Sequence, residues 1–277
     1  MYEIVKTTFA GLFFGMFGTT IGGFLGSSFD FKSNKTISFI LEFAAGLMLS
    51  IICFELIPES LKITDISISL LGIMVGVIGM IFCENRVKKL ERYKTKGNSL
   101  LTTGIVIGIG LAIHNFPEGI AIGSGFESSM KLGLSVAIAI LIHDIPEGIS
   151  IAVPLKQGGM SRKSAIFYTA LSGVSTGIGA FFGCVLGNIS ESFVSFSLAF
   201  AAGAMLYIVS GELIPESKKM YKGRFPVIGN IIGFLLGLVA MHVWEIYVGA
   251  HCNVPLRFVE HSSTNVNLFN FCIDKTE

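Results

Sequence analysis

Two strings of the same design carry the residues able to do chemistry: His114-Asn115-Phe116-Pro117-Glu118-Gly119 and His143-Asp144-Ile145-Pro146-Glu147-Gly148. In each, His and Glu stand four apart, so on a helix they share one face about one turn from each other and can reach one ion. The proline between them removes an amide hydrogen, freeing the carbonyls of Ile113 and Ile142, and Gly119 and Gly148 let another helix come close. If the two helices face each other, His114, Glu118, His143 and Glu147 converge, with Asn115 and Asp144 one residue along as further ligands. Imidazole mixed with carboxylate suits zinc, iron(II) or manganese better than calcium, which prefers all-oxygen sites. One copy alone would serve equally well as a kinked helix with a buried ion pair. It is the pairing of two copies that favours a cation.

Both strings lie midway along apolar runs, where an ionisable side chain costs several kcal/mol, about 2.5 to 3.5 on insertion scales. The chain as a whole is built for that setting: 277 residues, 52% hydrophobic and 14% charged, with 33 Gly and 24 Phe, and a mean hydropathy of +0.72. Soluble domains carry about 25% charged residues, and apolar runs of 18 or more residues read as membrane spans. The sequence therefore predicts an all-α polytopic membrane protein with eight spans, at about 5–26, 37–60, 66–83, 100–123, 131–154, 164–187, 193–216 and 225–248. The first run has Lys6 offset by Glu3 ahead of it and no small-residue cleavage pattern after it, and reads as a retained helix. The net charge of +1 gives no footing for a nucleic-acid partner.

Loop charges set the topology. Fifteen of the 20 Lys and Arg fall in the loops at 27–36, 84–99, 155–163 and 217–224. The positive-inside rule then places both termini outside and makes 84–99 the main cytoplasmic loop. Internal repeats sharpen the layout. Residues 43–62 return at 200–219 with 14 of 20 identities, and 114–123 return at 143–152 with 6 of 10. Span two runs outward and span seven inward, so the longer repeat is inverted, a signature of secondary transporters. The chain reads as three helices, a central pair and three inverted helices in one domain over 1–249, followed by an extracellular, flexible tail at 250–277.

Glu55 and Glu59 fall at the outer end of span two, and Glu212 and Glu216 at the inner end of span seven. They can attract cations at the two mouths of one pathway, or merely sit at the interface in water. Met48 offers a soft ligand beside them or simple packing. Glu42 and Glu245 read as interfacial, Trp244 and Tyr247 as belt residues, and His242 as a satisfied core or interface histidine. Cys53, Cys83 and Cys184 read as small hydrophobes, whereas Cys252 and Cys272 can pair if the tail meets an oxidising compartment.

On these motifs the chain resembles the ZIP family of divalent metal transporters, in particular the bacterial branch with the zinc uptake permeases. The resemblance covers roughly 5–249. It implies a 3+2+3 fold with both termini outside and a binuclear centre between spans four and five. One site would use His114, Glu118, His143 and Glu147, and the second Asn115, Glu118, Asp144 and Glu147, with the glutamates bridging. Three departures stand out. Ser172-Gly173-Val174-Ser175-Thr176-Gly177 puts Thr176 where relatives often carry a further glutamate, so the second site is expected to be weaker or differently completed. Loop 84–99 lacks the histidines many members carry there. The tail continues past span eight with His251, Cys252, His261 and Cys272, as an extracellular metal-capturing extension or simply as disordered chain.

The expected function is import of zinc, and less selectively iron(II) or manganese, across the plasma membrane by alternating access. The metal is substrate and no cofactor is expected. Binding should compete with protons, so transport should fall in acid. Glycine-rich faces allow a homodimer. Two rivals stay open: an intramembrane zinc enzyme, weakened by the lack of His-Glu-x-x-His and by a lone mid-membrane Asp144, and a metal-sensing receptor.

Overall fold

The computed structural model describes residues 2–29, 33–93 and 99–252 and is helical almost throughout. We number the rods α1 (Tyr2–Ser28), α2 (Asn34–Ile63), α3 (Ile66–Tyr93), α4 (Ser99–Ser128), α5 (Met130–Gln157), α6 (Arg162–Gly187), α7 (Glu191–Met220) and α8 (Phe225–Cys252). Among the described residues, seven of these are long and apolar enough to cross a membrane, and α4 is as long as any at 30 residues. Serines start three of them. Ser129, Ser161 and Ser190 each accept a hydrogen bond from the backbone N–H three residues on, satisfying one of the free amides of a first helical turn.

Two boundaries differ from the sequence reading. The stretch 84–99, expected as a loop, is mostly helix, because α3 runs on through Tyr93 and α4 starts at Ser99. Residues 84–93 contain no Gly or Pro to stop the helix, and Gly97 is the first breaker. Span eight likewise continues as helix through Cys252, past the expected end at 248. The tail from 253, with His261 and Cys272, lies outside the described residues, as do the side chains of Trp244, Glu245, Tyr247, His251 and Cys252.

The inverted repeat is visible atom by atom, at a constant offset of 157 residues between Phe43 and Phe200. Ser38, near the start of α2, bonds Ser217 near the end of α7, Oγ to Oγ at 2.7 Å. Ser60, near the end of α2, bonds Ser195 near the start of α7 at 3.0 Å. The two helices therefore lie antiparallel. Each also contains one wide π-turn, Ile52–Leu56 and Val209–Leu213. Pro58 and Pro215 follow, and a proline ring clashes with the carbonyl four residues back; widening the turn relieves that clash. Packing obeys the same offset. A Cβ on Gly76 would meet the Phe200 carbonyl at 2.2 Å, and one on Gly233 would meet the Phe43 carbonyl at 2.1 Å. Thus α3 lies against α7 as α8 lies against α2. The main apolar core, including Met48, Ile51, Ile122, Ile140, Leu198 and Met205, fills the space between α2, α7 and the central pair.

Candidate metal centre

The two strings sit in the middle of α4 and α5, and the glycine of each brings a third helix close. A Cβ on Gly119 would fall 2.1 Å from the Thr176 carbonyl of α6, and one on Gly148 would fall 2.5 Å from the Thr19 carbonyl of α1. Both proline-interrupted helices are thus held backbone to backbone from outside, with their His/Glu faces turned toward each other.

Between them, His114, Asn115, Glu118, His143, Asp144 and Glu147 are all at most 1% exposed. One ligand atom each from Glu118, His143, Asp144 and Glu147 lies within 4.8 Å of all the others. His114 Nε2 stands 3.3 Å from Oε1 of both Glu118 and Glu147, close in distance but not aligned for a hydrogen bond. His143 Nε2 lies 3.0 Å from Glu118 Oε1 and 3.7 Å from Asp144 Oδ1. His143 Nδ1 lies 3.2 Å from the Ala139 carbonyl. A carbonyl only accepts, so Nδ1 carries the hydrogen, and in the neutral ring Nε2 is left unprotonated with its lone pair free for a metal ion. Glu118 reaches both histidines, as a bridging ligand would.

The strongest sign of a cation is what these groups lack. Among the described residues, ten buried side-chain N and O atoms have no hydrogen-bond partner, and seven belong to this cluster: His114 Nε2, Asn115 Oδ1, Glu118 Oε2, both Asp144 oxygens and both Glu147 oxygens. An eighth, Thr176 Oγ1, is on α6 beside Gly119. Three carboxylates with five orphaned oxygens in an apolar interior carry a large desolvation cost, and a divalent cation offsets it directly.

The other candidates separate. Met48 is fully buried in the apolar core. Asn115 turns its amide to the Ser172 carbonyl at 3.3 Å. Glu55 and Glu59 line a cavity of about 320 Å³ together with Lys62, Lys131, Ser135 and His242. Ser135 donates to Glu55 at 2.7 Å and Ser128 to Glu59 at 2.9 Å, so α4 and α5 meet the glutamates of α2 at this end. Of the two readings of His242, core or interface, the core one does not hold, because the side chain is exposed on the wall of this cavity. The stripe Gly229, Gly233 and Gly237 marks the face of α8 that packs on α2, but a lone histidine carried no signal that it joins Glu55 and Glu59. Glu212 and Glu216 occupy the symmetric end of α7, where Glu216 pairs with Lys219 at 2.9 Å and Tyr207 donates to Glu84 of α3. Glu42, expected at the interface, lies near that end of α2 and is buried there by its neighbours.

The sequence profile of the ZIP Zinc transporter family matches residues 84–245. Zinc transporter ZupT of Salmonella heidelberg (strain SL476) is 31% identical over 262 residues, 90% of this chain and 100% of that protein. Zinc transporter ZupT of Salmonella newport (strain SL254) is 32% identical over 244 residues, 83% of this chain and 95% of that protein.

Proposed function

This chain belongs to the ZIP zinc transporter family, a family of transporters rather than enzymes, and from that premise we propose that it carries zinc across the plasma membrane into the cytoplasm. Iron(II) and manganese are the expected weaker substrates, since the same donor types accept them. The observation that supports this reading most is the set of orphaned donor atoms on the facing strings of α4 and α5. Zinc loses water near Glu55, Glu59 and His242, binds among His114, Glu118, His143 and Glu147 with Asn115 and Asp144 as additional ligands, and leaves past Glu212 and Glu216. Thr176 brings a hydroxyl rather than a carboxylate, so a second ion is held more weakly than the first. Helix shifts open one mouth at a time, with eight spans in a 3+2+3 order, both termini outside and residues 250–277 as an extracellular tail. The protein works alone or as a homodimer.

The test is radioactive zinc uptake into proteoliposomes carrying wild type, His143→Ala or Glu118→Ala. Saturable uptake by wild type, lost in both variants and reduced by competing iron or manganese, supports transport through this centre. Stoichiometric zinc binding by wild type with no uptake would sink the transport reading in favour of a receptor.

A further inference from the structure

A second cavity, of about 440 Å³, opens where α2 and α8 begin and α7 ends, at the water–membrane boundary of the face that the loop charges assign to the cytoplasm. Its wall combines Glu42 with Lys218, Tyr221, Lys222, Arg224 and Val227. Glu42 is only 2% exposed. Asn230 Nδ2 donates to its Oε2 at 3.0 Å, whereas Oε1 is buried with no partner. A half-satisfied buried carboxylate costs several kcal/mol, and the fold does not demand one here. The repeat equivalent of Glu42 is Ala199, which is fully buried in the matching place on α7. The basic rim is also peculiar to this end, because the repeat equivalents of Lys222 and Arg224 are Asp65 and Ser67. Lys35 adds a further cation beside the cavity, its ammonium 4.4 Å from the Phe225 ring centre.

These groups ask for both signs of charge in one ligand. A bare cation would satisfy Glu42 Oε1 and be repelled by three basic side chains; a bare anion would satisfy the rim and face a carboxylate. A group with a phosphate on one side and an N–H-bearing cation on the other satisfies both, and basic pockets between helices at this level of a membrane are suited to phosphate headgroups. We propose that this cavity binds a phosphoethanolamine group, its phosphate held by Lys222 and Arg224 and its primary ammonium donating to Glu42 Oε1. The group can arrive as a phospholipid headgroup or as the free zwitterion.

Native mass spectrometry of the full chain, released from nanodiscs of defined composition, tests this. Wild type should retain phosphatidylethanolamine over both phosphatidylglycerol and phosphatidylcholine by about fivefold or more, the worth of one added charged hydrogen bond. Phosphatidylglycerol lacks the amine, and phosphatidylcholine has no N–H to give. Glu42→Gln should erase the preference for ethanolamine over choline. The exposed double variant Lys222→Ala/Arg224→Ala should lose retention of the ethanolamine and glycerol lipids alike, and it keeps the question open to experiment if Glu42→Gln fails to fold. Displacement of the lipid by water-soluble phosphoethanolamine, with inorganic phosphate ineffective, would assign the same chemistry to the free form. Equal retention of all three lipids, or a preference for phosphatidylglycerol untouched by Glu42→Gln, would overturn the proposal and leave a basic rim with no role for the carboxylate. Transport activity does not enter the readout, so failure here and failure of the transport reading are distinct results.

Discussion

The two ends of the α2–α7 pair carry the same string, Glu-Leu-Ile-Pro-Glu-Ser, and put it to different use. At the Glu55 end the carboxylates receive serines from α4 and α5 and border a cavity that reaches in beside His242. At the Glu212 end Tyr207 donates its hydroxyl to Glu84, whereas the Glu216–Lys219 pair merely repeats Glu59–Lys62 of the first end. Residue pairing explains the contrast. The repeat equivalent of Tyr207 is Ser50, and that of Glu84 is Met241, so the first half has neither partner of the tyrosine bond. An inverted repeat sets the backbone of both ends alike, and a few unmatched side chains make their surroundings differ.

The largest way to break this arrangement acts on neither end but on the centre between them. Glu118→Ala removes the carboxylate that contacts both histidines, and zinc uptake should fall by more than about 100-fold, since even groups that merely orient metal ligands cost 10- to 100-fold. Uptake within threefold of wild type would show that the route bypasses the two strings. The backbone symmetry is tested next. Gly76→Ala and Gly233→Ala put a methyl against equivalent carbonyls, and each should lower stability by about 1 to 3 kcal/mol, read as a similar drop in thermal unfolding temperature. Gly110→Ala is the control, with open space at its Cβ. A large loss at one glycine and none at its mate would refute equivalence of the halves.

Tyr207→Phe asks whether the hydroxyl bond holds its end shut. Losing a hydrogen bond to a carboxylate is worth about 1.5 kcal/mol, so a cysteine introduced by Gly211→Cys should react roughly tenfold faster with a membrane-impermeant maleimide applied from that face. An unchanged rate would mean the bond decorates a mouth closed by other contacts. The smallest effect is expected at the serine contacts. Ser60 joins both Ser69 and Ser195, whereas Ser38 and Ser217 join each other, so Ser60→Ala should cost somewhat more than Ser38→Ala, each about 1 kcal/mol. The reverse order in chemical or thermal unfolding would count against this reading of the two clasps.

The sequence exposed those parts that repeat or are strongly apolar. Helix positions followed from apolar runs, and the facing of α4 and α5 from two copies of one string. What stayed hidden depends on which way a helix is rotated. Glu42 sits one turn below the serine clasp of α2, where a carboxylate is ordinarily interfacial, yet α8 places Asn230 and backbone over it. His242 lies on a helix with no periodic polar face, and only the assembled α2–α8 pair turns it toward the glutamates. The π-turns were not foreseen either, although each precedes a proline in the repeat, because Pro117 and Pro146 sit in helices that keep their ordinary winding.

The glycine contacts give the molecule a mechanical grain. Backbone meets backbone between α4 and α6, between α1 and both α5 and α6, between α2 and α8, and between α3 and α7. Helices joined in this way have few and mostly short side chains at the contact to flex, which favours motion as units. Apart from the Ser128–Glu59 and Ser135–Glu55 bonds at one end, the block of α1, α4, α5 and α6, which contains both histidine strings, meets α2 and α7 through alkyl side chains such as Met48, Ile122, Ile140, Leu198 and Met205. Aliphatic side chains can exchange rotamers and slide where carbonyls locked against glycine cannot. Shear along that greasy plane would displace the histidines and carboxylates together, keeping their mutual geometry while changing what lies above and below them.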